Sequence, residues 1–65
     1  MRILVNGDPR DLAESNLERA LEELGFGGAV VATALNGEFV SAASRASTVL
    51  AEGDRLEVLA PMQGG

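Results

Sequence analysis

The chain contains no cysteine, no histidine and no lysine, which removes most side-chain chemistry. No Ser-His-Asp or Cys-His arrangement can be built, and neither thiolates nor imidazoles are present to hold a metal. Ser41, Ser44 and Ser47 have no evident base to activate them and read as solvated loop residues. Gly27-Gly28 follows a helical pattern rather than opening one, and without a lysine it is no phosphate loop. The spacing of Asp8, Asp11 and Glu14 fits no EF-hand, so these read as a solvated acidic face. What remains is the Gly64-Gly65 end. A stretch without side chains can thread a narrow channel and adopt backbone angles closed to other residues. It also leaves the terminal carboxyl carbon unhindered towards a nucleophile. The plain alternative is a frayed end.

The elements that must carry this end are legible from periodicity. Arg2 to Asn6 alternates, with Ile3 and Val5 on one face, and reads as a strand joined on its inner side by Met1. Asn6-Gly7-Asp8-Pro9 is dense turn chemistry, and Arg10 to Ala13 is expected to return as a short strand with Leu12 inward. Ser15 to Leu24 is expected to be a helix. Ser15-Asn16-Leu17-Glu18 matches a capping box, and Leu17, Ala20, Leu21 and Leu24 form an apolar stripe. Gly25 stands where a left-handed C′ residue belongs. Ala29 to Leu35 is a nearly continuous apolar run and reads as a buried strand. Asn36-Gly37 is a type I′ hairpin signal, with Glu38-Phe39-Val40 returning. Ser41 to Ala51 reads as a crossover with one helical turn, anchored by Val49 or Leu50. After the turn at Glu52-Gly53-Asp54, Arg55 to Ala60 alternates, with Leu56, Val58 and Ala60 inward and Arg55, Glu57 and Leu59 outward. Pro61 ends the ladder, and Met62-Gln63-Gly64-Gly65 is expected to be mobile.

The order is hairpin, helix, hairpin, crossover, last strand. It implies an α+β fold: a mixed sheet of four or five strands with one main helix on one face. The first and last strands can pair as parallel neighbours through the helical connection. Residues 1–60 form the expected domain and 61–65 its tail. Ten acidic against five basic residues give a formal charge of −5, which argues against nucleic acid and anionic membranes as partners and favours a basic rim on another protein. No apolar run approaches the ~18 residues of a bilayer span, and the start of the chain lacks the pattern of a signal peptide. The cytoplasm is the expected compartment.

The run Glu52-Gly53-Asp54-Arg55-Leu56-Glu57-Val58-Leu59-Ala60-Pro61-Met62-Gln63-Gly64-Gly65 resembles the C-terminal signature of the thiamine-biosynthesis sulfur carrier family, ThiS. Leu35-Asn36-Gly37-Glu38-Phe39-Val40 resembles that family's central hairpin, although Ser41-Ala42 stand where its members often carry Pro-Arg. The resemblance implies a ubiquitin-like β-grasp fold and a carrier that is a co-substrate rather than an enzyme, binding no cofactor itself. It implies that an E1-like adenylyltransferase uses ATP and magnesium to adenylate the Gly65 carboxylate. A persulfide from a sulfurtransferase system then displaces AMP to give a Gly65 thiocarboxylate, and thiazole synthase takes the sulfur. Leu59, outward on the last strand, is a candidate docking contact for the activating enzyme, and Met62 extends the patch; the bland reading of Leu59 is an ordinary exposed leucine. Three rivals stand beside this reading: the small subunit of molybdopterin synthase, a ubiquitin-like modifier joined to lysine, and a β-grasp interaction module whose Gly-Gly end is incidental.

Overall fold

Two Asn-Gly dipeptides organise the sheet. The computed structural model describes residues 1–60, and in it Asn6 (φ 51°), Gly7 (φ 86°), Asn36 (φ 52°) and Gly37 (φ 86°) all take positive φ. This is the condition for a two-residue type I′ hairpin. The first joins β1 (Arg2–Val5) to β2 (Asp8–Asp11), with Val5 opposite Asp8. The return strand therefore begins directly after Gly7, earlier than the expected Arg10 to Ala13, and it contains Pro9. Proline is tolerated because β2 is an edge strand, where its missing N–H leaves no ladder bond unmade.

The helix α1 spans Leu17–Glu23, shorter than the expected Ser15 to Leu24, and its cap is Asn16 rather than Ser15. Asn16 Oδ1 accepts the Arg19 N–H at 3.1 Å. Ser15 is committed elsewhere: its carbonyl accepts the Leu50 N–H at 2.7 Å, which holds it in an extended segment, so the capping box does not form. The C-terminus closes as expected on Gly25 (φ 96°). Gly25 N–H reaches the Glu22 carbonyl and Phe26 N–H the Leu21 carbonyl, a Schellman arrangement in which Phe26 folds back beside the helix.

The second hairpin joins β3 (Ala32–Leu35) to β4 (Glu38–Val40). The expected strand from Ala29 loses its first three residues. Gly27-Gly28 form a turn and Val30 is 80% exposed. The pairing of β3 with β5 (Arg55–Leu59) begins only at Ala32 opposite Leu59, the last residue of β5, so among the described residues Val30 and Val31 join no strand. The crossover folds as a 3₁₀ helix over Ala42–Ser47. Leu50 is its buried anchor, while Val49 faces out.

The five strands lie in the order β2-β1-β5-β3-β4. The first and last strands are parallel neighbours at the centre, with Leu4 opposite Arg55 and Val5 opposite Leu56. One face carries Ile3, Val5, Leu56 and Val58 against Leu17, Ala20 and Leu21 of α1, with Leu12 and Leu50 closing the core and Leu24 at its margin. Thr33 is the polar residue in this layer. Its hydroxyl donates to the Val40 carbonyl at 2.7 Å and accepts from Arg45 Nε at 3.1 Å, so its burial leaves no bond unmade. Ala60, expected inward, is exposed beyond the end of β5. No helix among the described residues is long and apolar enough to cross a membrane. The expectations for residues 61–65 lie outside the described part of the chain.

Candidate functional site: the open face of the sheet

Strand alternation leaves the sheet with a second face that no helix covers. Leu59 lies there, 66% exposed, as its outward position in β5 predicted. Its register partner is Ala32. Phe39, 74% exposed, lies opposite Ala34, and Ala34 lies opposite Glu57. Towards the other edge, Arg55 pairs with Leu4, and Leu4 with Pro9. Two hollows meet at Leu59. One, of about 460 Å³, is lined by Leu4, Asn6, Arg55 and Glu57. The other, of about 300 Å³, is lined by Val30, Val31, Ala32 and Ala60.

The electrostatics of this face differ from the rest of the molecule. Its charges come in opposed pairs: Arg55 and Glu57 along β5, and Arg2 with Asp11 at 3.0 Å across the edge. Hydrogen bonding to Arg2, and then its charge, hold the Asp11 carboxyl below its ordinary range. The helical side instead carries Glu18, Glu22 and Glu23 against Arg19. The net negative charge is thus kept off the open face, which is close to neutral and partly apolar. A surface of that kind suits protein docking, because exposed aromatic and aliphatic anchors gain most from desolvation there.

Of the residues singled out from sequence, Leu59 is in this face. Met62, Gly64 and Gly65 lie outside the described residues, beyond the end of β5 that Leu59 closes. Phe39, expected as part of a return strand, lies in this face as well. Alternation in Glu38-Phe39-Val40 turns Phe39 away from the side of Val40, and the pairing with β3, which sets Val40 against the core, makes that the open side. The serines are structural. Ser41 Oγ meets Ser44 Oγ at 3.0 Å, and Ser47 Oγ donates to the Ser44 carbonyl. No group of three potential metal-ligating side chains occurs among the described residues.

Comparison with known proteins agrees with this fold. The crystal structure of the thiamine biosynthesis protein ThiS of Geobacter metallireducens superposes with a TM-score of 0.84 at 32% identity, covering 100% of both chains. The sulfur carrier protein ThiS of Thermus thermophilus is 40% identical over 63 residues, 97% of this chain and 98% of that one. A thiazole synthase of Paramagnetospirillum magneticum is 36% identical over 66 residues; the match takes in all of this chain but spans only 20% of that protein. The ThiS family model matches residues 3–65, and with the β-grasp order of strands and helix in place, the chain belongs to the ThiS family.

Proposed function

We propose that this chain is the sulfur carrier for thiazole formation in thiamine biosynthesis, a co-substrate whose Gly65 carboxylate is the loaded group. The observation that carries the reading is the near end-to-end match to the Thermus thermophilus sulfur carrier, together with a family match that runs through Gly64 and Gly65. The chemistry is coherent. A carboxylate is a poor electrophile. Attack of a Gly65 oxygen on the α-phosphorus of ATP expels pyrophosphate and leaves an acyl-adenylate, with an E1-like partner supplying the site and the magnesium. The outer sulfur of a persulfide donor attacks the acyl carbon and AMP leaves. A thiol then cleaves the resulting acyl disulfide, leaving the thiocarboxylate for the thiazole-forming enzyme.

The fold supports a division of labour. The open face around Leu59 and Phe39 docks, and Gly64-Gly65 enters the partner's site. A chain that resembles part of a thiazole synthase is consistent with an acceptor of that class. Intact mass spectrometry after incubation with ATP, a persulfide donor and the activating enzyme tests the reading. A carrier gains the mass difference between sulfur and oxygen on Gly65. A chain that is never adenylated, or that appears joined to other proteins instead, overturns it.

A further inference from the structure

The parallel ladder between β1 and β5 is short. It pairs Leu4 with Arg55 and Val5 with Leu56, and its last backbone bond runs from Asn6 N–H to the Leu56 carbonyl at 2.9 Å. At Asn6 the chain enters the hairpin turn with positive φ, so β1 offers no further backbone rung. On the β1 side, β5 still has the polar groups of Val58 to satisfy. The Asn6 side chain meets them both: Oδ1 accepts the Val58 N–H at 2.9 Å, and Nδ2 donates to the Val58 carbonyl at 3.1 Å. Donor faces acceptor in both bonds, which fixes the orientation of the amide. A primary amide thus stands in for one missing strand residue and extends the ladder by one rung. An unpaired backbone group here would otherwise loosen the strand.

The twin hairpin provides a contrast. Asn36 has the same positive φ and also binds β5 through its side chain, but at the opposite end. Its Oδ1 accepts the Arg55 N–H at 2.9 Å, and its Nδ2 donates to Asp54 Oδ1 at 3.1 Å. The last strand is therefore clipped by two asparagines. One holds where the strand begins, and the other holds beside Leu59, where the strand ends.

We infer that Asn6 is a positioning residue for carrier loading: its amide fixes the end of β5 at Val58 and Leu59, from which the chain continues to the Gly65 carboxylate. The inference rests on the carrier reading. Once the open face is seated on a partner, a reacting group on a tether depends on the direction in which the tether starts. A displacement of about 1 Å at a reacting centre can cost a hundred-fold in rate. Asn6 acts through Val58, whose N–H and carbonyl it holds, and through Leu59 next to it in the strand.

Glycine tests this cleanly. Asn6→Gly and Asn36→Gly keep the positive φ of a type I′ turn and remove only the clip. Steady-state loading by the activating enzyme is measured with ATP and persulfide donor in excess, alongside amide hydrogen exchange of each variant. Asn6→Gly is expected to speed exchange at Val58 and lower kcat for loading about ten-fold; because Asn6 also lines the hollow beside Leu59, kcat at saturating carrier rather than KM is the readout. Asn36→Gly is expected to speed exchange at Arg55 and load with the wild-type kcat. A purely structural role would move both variants alike. Normal loading of Asn6→Gly, or an equal fall in kcat for both variants, overturns the inference while leaving the carrier reading in place. A wild-type chain that is not loaded overturns both.

Discussion

Replacing Leu59 separates docking from folding. Complete burial of a leucine side chain contributes about 1.5–3 kcal/mol relative to leaving it exposed. Leu59 is 66% exposed in the free chain, so about two-thirds of that gain, ~1–2 kcal/mol, remains to be realised on contact with a partner. At ~1.4 kcal/mol per factor of ten, Leu59→Ala is expected to raise Kd for the activating enzyme about 5- to 30-fold. Leu59→Glu goes further, because a carboxylate must be desolvated beside Glu57 on the same face. Stability provides the control. Leu59 takes no part in the core, and surface substitutions of this kind usually stay within about 0.5 kcal/mol. Titration calorimetry against the activating enzyme reads the first effect and a thermal melt the second. An unchanged Kd for Leu59→Glu would refute the assignment of the open face as the docking surface. A collapsed melt would show instead that Leu59 supports the fold.

Leu21→Ala, in the buried stripe of α1, is expected to cost ~2–5 kcal/mol, a large share of the stability of so small a domain; a denaturant titration that overlays the wild type would refute the packing. Deleting Gly65 is expected to abolish acyl-adenylate formation by intact mass while leaving the melting temperature unchanged, since the core runs from Ile3 to Val58. Glu23 accepts the N–H groups of Ala13 and Glu14 at 3.0–3.1 Å, and these bonds hold its carboxyl below its ordinary value near 4.5. A carboxyl whose folded pKa is depressed stabilises the fold above its unfolded pKa, and that contribution fades as pH falls through the folded value. The gap in melting temperature between wild type and Glu23→Ala is therefore expected to be fullest at neutral pH and to shrink as pH falls below the ordinary carboxyl value near 4.5; a gap that stays constant with pH would show that the carboxylate charge is not what holds the loop.

Local rules written into the chain settled a good deal. Positive φ is readily available to Asn-Gly, so both hairpins form where that dipeptide stands. Helical spacing of Leu17, Ala20 and Leu21 sets the buried stripe, and Gly25 ends it. Alternation in β5 put Leu56 and Val58 inside and Leu59 outside. With no Cys, His or Lys, Gly64 and Gly65 are what is left to carry chemistry. Other features depended on partners distant in the chain. Ser15 lost the cap to Asn16 because the Leu50 N–H claimed its carbonyl. The apolar run becomes a strand only from Ala32, because its register with β5 starts there, opposite the last residue of β5. Phe39 joined the site only when β3 and β4 were laid beside β5. Asn6 looked like turn chemistry until Val58 lay against its amide. Propensity and periodicity act between residues a few positions apart and can be read along the chain. Which carbonyl meets which donor across fifty residues is decided by the packed sheet, because each buried backbone group takes the partner that the whole arrangement brings within reach.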